Sequence, residues 1–129
     1  MINNFDISAI ENDVIAAVRS LGVSGKVYPN RPKSADTASD FVVVSVSEAV
    51  YDKAAFGESV VRIDLFAKDI DSIKNSKKLS LMYSRLAGGF PASSGRLIFD
   101  TEWNILGDTP DDFGYHARMI RIPITIKAI

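Results

Sequence analysis

Among its 129 residues the chain has no cysteine and only one histidine. Without thiols there is no disulfide framework and no thiolate zinc site, and the absence fits a reducing compartment. The lone imidazole, His116, further disfavours zinc. Neither charge sign is in surplus: 15 basic residues stand against 16 acidic ones, a formal net of −1. Nothing in that balance draws the protein to nucleic acid or to an anionic membrane. No stretch approaches the roughly 18–20 apolar residues of a membrane helix. The opening MINNFDISAIEND has no basic region and no continuous apolar run, so the expectation is no signal peptide and synthesis in the cytosol. Internal repeats and low-complexity tracts are absent, and the G-x-S-x-G nucleophile motif does not occur.

What is present is an ordinary globular composition, 47% hydrophobic and 24% charged. Residues 1–129 suit a single domain with a real core. Its centre is Phe41–Lys68, which reads FVVVSVSE, a polar connection, then SVVRIDLFAK. Two alternating β-type runs around a polar segment predict adjacent antiparallel strands. In Phe41–Glu48, Val42, Val44 and Val46 share one face. In Ser59–Lys68, Val61, Ile63, Leu65 and Ala67 point one way, and Val60, Arg62, Asp64 and Phe66 the other. The connection 49–58 is too long for a two-residue turn and reads as a hairpin arm or wide loop.

Around this centre, residues 6–21 predict a helix with Ile7, Ile10, Val14, Ala17, Val18 and Leu21 on one stripe. Its start is either Asp6, with Phe5 stapled on Ile10, or Ser8 boxed with Glu11. Gly22 and Gly25 close it. Val27-Tyr28 is a short extended piece, and 29–40 is a polar loop. Residues 70–87 predict a second helix, with Asp69 and Asp71 at its N-terminus and Gly88-Gly89 as its stop. Arg96–Trp103 alternates as a strand, 104–114 is a polar excursion, and Tyr115–Ile129 is the last strand. There Ile120, Ile122, Ile124 and Ile126 face the core, and Pro123 argues for an edge or a bulge. The order α-β-β-α-β-β predicts a two-layer α+β domain: a mainly antiparallel sheet of four to five strands, both helices on one face, and loops protruding near 29–40, 49–58 and 104–114.

Candidate chemistry is sparse. His116 stands at a strand start with no nucleophile motif, the setting of a surface or strand-end histidine. Asp108, Asp111 and Asp112 share a loop but miss the calcium-loop spacing, and read as a solvated acidic loop. Gly22-Val-Ser-Gly-Lys26 fails the phosphate-loop spacing and follows a helix. Lys74, Lys77 and Lys78 lack an aromatic platform for nucleic acid and read as a solvated helix face. No catalytic, cofactor or metal residue is assigned. Arg62 and Asp64, charged on a central strand, either pair across strands or mark a face that meets another subunit. Tyr51 and Phe56 in one polar segment, and Phe113 and Tyr115 beside Asp111 and Asp112 in another, are candidate interface anchors, or pack back on their own domain.

In their order and texture these segments resemble the tail terminator (tail-completion) proteins of long-tailed bacteriophages. The features are the N-terminal amphipathic helix, VYP at Val27–Pro29, FVVVSV at 41–46, VVRIDLFAKD at 60–69, a second helix and RIPITIKA at 121–128. The likeness spans nearly the whole chain and includes no invariant motif. It implies a small α+β structural subunit, not an enzyme, that forms a homo-oligomeric ring, typically a hexamer. The ring caps the tail tube, contacts the tube protein and a head–tail connector protein, and resides in the virion after assembly in the host cytoplasm. It implies no cofactor. The alternatives are another head–tail connector or neck protein, and a small cellular ligand-binding domain or enzyme.

Overall fold

A computed structural model of the chain describes residues 7–30, 40–46, 51–53, 56–111 and 113–127. Its spine is a pair of unusually long antiparallel strands, β4 (Phe56–Lys68) and β8 (Tyr115–Lys127). They pair without a register shift from Phe56↔Lys127 to Lys68↔Tyr115. Each is 13 residues long, about 43 Å of extended chain, so one partner strand does not cover an outer edge. Each edge is shared by two shorter strands laid end to end. Along β4 run β2 (Asp40–Val46) and β3 (Tyr51–Lys53); along β8 run β7 (Asn104–Pro110) and β6 (Leu97–Phe99). Two-residue strands finish the sheet, β1 (Val27–Tyr28) parallel to β2 and β5 (Ser93–Ser94) antiparallel to β6. The fold is α+β with a mixed eight-stranded sheet, larger than the four to five strands expected from alternation alone.

Both helices, α1 (Ile7–Ser20) and α2 (Ser76–Gly89), pack on one face, and the inward sets agree with the alternation. Val42, Val44 and Val46 meet Val61, Ile63 and Leu65, and these meet Ile120 and Ile122, beneath Val14 and Val18 of α1 and Leu79, Met82 and Leu86 of α2. Truncating a side chain buried as Ile63 is, to alanine, costs about 2–5 kcal/mol. The layers are also stitched by polar contacts. Glu11 of α1 accepts from the Val46 N–H at 3.0 Å. Arg19 donates to the Val27 carbonyl at 3.1 Å, and Arg85 to the Gly22 carbonyl at 3.2 Å. Gly89 lets the Leu21 side chain lie close, since a Cβ there would meet Leu21 Cδ2 at 2.6 Å and push that methyl aside.

Several expectations are corrected. α1 already includes Ser8, which removes it as N-cap; Asp6 lies outside the described residues. α2 begins six residues later than expected, capped by the Asn75 side chain, whose Oδ1 accepts from the Lys78 N–H at 3.1 Å. Asp69 and Asp71 cap nothing. Residues 70–73 form a tight turn instead, with Ile70 and Ile73 exchanging both backbone hydrogen bonds at 2.9 Å and positive φ at Asp71 (52°) and Ser72 (65°). Positive φ at both central residues is the primed-turn geometry that matches strand twist. At the other end α2 stops at Gly88-Gly89 as expected, these being its last two residues, with Phe90 extended and Pro91 following. The expected strand Arg96–Trp103 shrinks to Leu97–Phe99, and 104–114 is no protruding loop: most of it is β7, hydrogen-bonded to β8 with a bulge between Leu106 and Thr109.

The arm at 49–58 also closes more tightly than expected. Lys53 pairs with Phe56, leaving a two-residue connection, and the returning strand continues along β8 at Gly57↔Ile126 and Glu58↔Thr125. The loop at 31–39 falls outside the described residues. Pro123 stands in the middle of the spine, with neither bulge nor free edge. Its carbonyl accepts from the Asp100 N–H at 2.9 Å, so its nitrogen faces the same side, the gap where β6 ends and β7 begins. The donor a proline lacks is the one that would return a bond to the Asp100 carbonyl, and the Trp103 indole N–H takes that acceptor instead at 3.0 Å.

Candidate subunit interface

The spine register brings Arg62 directly opposite Arg121, on the sheet face turned away from the helices. Two guanidinium groups so placed repel. Asp64 lies two residues along the same face and is attracted to both. It is half-buried, and burial pushes its carboxyl above the ordinary carboxylate range, only partly offset by Arg62 and then Arg121. A charged strip of Arg62, Asp64 and Arg121 thus crosses the centre of a sheet face on which no helix packs among the described residues. Arg62 and Asp64 were legible as a pair on one face. Arg121 was not joined to them, because that needs the register.

One end of this same face is apolar. Phe41 stacks on Phe66 at 4.5 Å and 11°, and Tyr115 meets Phe41 edge-on at 5.2 Å. Tyr28 packs against the same group. Tyr115 is therefore a core residue of its own chain, 4% exposed, rather than a projecting loop anchor. Phe113, its near neighbour, is 53% exposed on the turn between β7 and β8. Asp111 shapes that turn: its Oδ1 accepts from the N–H groups of Phe113 and Tyr115 at 2.8 and 3.0 Å. Asp112 lies outside the described residues, as do the side chains of Tyr51 and Phe56, whose backbones stand in the arm hairpin.

The acidic loop expected at 108–112 is not uniformly solvated. The bulge turns Asp108 back toward the helical side, where Arg118 grips it bidentately at 2.8 and 3.0 Å and Lys74 adds a contact at 3.3 Å. The Arg118 hydrogen bonds hold the Asp108 carboxyl below its ordinary range. A carboxylate so engaged is not free for a cation. Among the described residues no group of three or more acidic or histidine side chains is arranged to hold a metal. His116 sits beside this cluster with Nδ1 2.7 Å from Asp69 Oδ1. Among the described residues no hydroxyl hydrogen-bonds its ring, so the pair lacks the nucleophile of a triad.

The aromatic residues gathered around Trp103 were missed as a group. Trp103 donates its indole N–H to the Asp100 carbonyl at 3.0 Å, and Phe90 packs edge-on to both Phe99 (4.8 Å) and Trp103 (5.4 Å). With Tyr83 they border an open groove of about 360 Å³ beside the C-terminal half of α2. They lie scattered from 83 to 103 in sequence, and no single periodicity links them.

No family model matches the chain, and no curated protein does. A solved structure is similar in fold, with a TM-score of 0.62 over 95% of this chain and 93% of that one, at 16% identity. That protein is designated only by a sequence identifier, and at this identity the likeness concerns the fold alone.

Proposed function

We propose that this chain is a structural subunit of a phage virion, a tail terminator that assembles into a ring, typically a hexamer, to cap the tail tube and join it to the head. The observation that carries the reading is the one-sided fold. Both helices cover one face of the sheet, and the opposite face presents Arg62, Asp64 and Arg121 with no helix over it among the described residues. A half-buried carboxylate whose charge is disfavoured where it stands suits a face completed by a polar partner. The segment resemblance points the same way, and near-zero net charge lets identical copies approach without strong repulsion. The role is assembly rather than catalysis, with the tail-tube protein and a head–tail connector protein as partners above and below the ring.

Light scattering with negative-stain imaging tests the reading. The expected outcome is a discrete ring-sized species, or conversion to one when tail-tube protein is added. A strict monomer at high concentration, with no ring under either condition, would sink it.

A further inference from the structure

The turn at 70–73 and the groove beside Trp103 lie at opposite ends of α2, a helix of 14 residues and hence about 21 Å long. The turn is a knob. Ile70 is 59% and Ile73 69% exposed, on either side of a two-residue turn, Asp71-Ser72, that their reciprocal pair of backbone hydrogen bonds locks. Neither side chain helps the core, yet a backbone with positive φ at two non-glycine residues is maintained to present them. Lys74 and Lys77 flank the turn beside Asp71; Lys74 is paired with Asp108 at 3.3 Å, so Lys77 is the cation the turn presents outward. The groove is complementary in both respects. Tyr83, Phe90, Phe99 and Trp103 line it with aromatic surface, and Asp100 stands on its rim. It is also preformed. The Asp100 side chain accepts from the Glu102 N–H at 2.9 Å and its carbonyl holds the indole, which leaves exposed Glu102 beside Asp100.

We propose that the knob of one copy docks into the aromatic groove of the next. The isoleucines enter the groove, and Lys77 faces Asp100 and Glu102 over the aromatic rim, where an ammonium is favoured by both carboxylate and ring faces. Knob and groove are different surfaces of the same chain, so the contact is head-to-tail, the type that closes into rings. The inference rests on the ring reading above and deepens it by naming the contact between neighbours. It leaves the Arg62–Asp64–Arg121 face free for another protein.

Complementation tests it with two surface variants, Ile73→Asp to disable the knob and Ala87→Arg to block the groove. Ala87 is an exposed helical residue, so both chains should keep the wild-type unfolding midpoint. Each variant alone is expected to be monomeric by light scattering where the wild type associates, its dissociation constant raised by about tenfold or more. Mixed one to one, they should form a dimer that grows no further, because only one intact knob and one intact groove remain. Lys77→Glu should weaken association, and adding Glu102→Lys to the same chain should restore it. Rings that survive both single variants overturn the knob-and-groove contact, assign the groove to another occupant and leave the ring reading standing. A wild-type chain that stays monomeric at every concentration, alone and with tail-tube protein, overturns both.

Discussion

Asp64 and Asp108 show how two carboxylates on one sheet are driven in opposite directions. The Asp64 proton is held more tightly in the folded chain than in the unfolded one, because burial penalises the charge. The folded state therefore gains stability as pH falls from neutrality through that raised value toward the ordinary 3.8, and at neutral pH the ionised group is a cost. Asp64→Asn should raise the thermal midpoint at pH 7, with the difference shrinking as pH drops. A lower midpoint would mean that attraction to the two arginines outweighs desolvation. Asp108 is the reverse. Its lowered value means a contribution that is fully present above 3.8 and lost as pH falls below it. Asp108→Asn should cost on the order of 1–3 kcal/mol at neutral pH by urea denaturation, since it strips the bidentate partner from partly buried Arg118. The penalty should fade in acid, where the wild type loses the same interaction.

At the scale of elements, the central strands and their facing were readable because alternation with a buried apolar set admits only one inward face. The start of α2 was misplaced for a physical reason. Ile73 falls on the helical stripe and acids precede it, but the chain satisfies Asp69–Ile73 with a turn, and the real cap is Asn75. Asn75→Ala should cost about 1 kcal/mol. Ser72→Gly relieves a positive φ of 65° and should stabilise by about 0.5–1 kcal/mol. Equilibrium unfolding of the two variants measures both. Strand β7 was invisible for a different reason. Asn104, Gly107, Asp108 and Pro110 are turn formers, and Ile105 and Leu106 adjoin rather than alternate, because an edge strand with a bulge need not bury a regular face. The charged strip was two-thirds legible, lacking only Arg121. The aromatic groove was not, since its parts are assembled by tertiary packing.

For the whole molecule, assembly turns on which surfaces meet other chains. The described strands of the arm, Tyr51–Lys53 and the start of β4, pair with each other, and the returning strand continues along β8. If Tyr51 and Phe56 anchor a neighbour, a double alanine variant should lower the sedimenting mass at fixed concentration; unchanged association would remove the arm from the interface. The spine itself has a consequence for synthesis. β8 is the strand on which β4, β6 and β7 all close, and it follows each of them in the chain. Translation at about 5–20 residues per second leaves β4 without that partner for several seconds. During that window one edge of a valine-rich ribbon is open to pairing with other nascent chains. Fragments ending before Tyr115 should accumulate as aggregates, and productive folding should depend on holding that edge apart until the last long strand emerges.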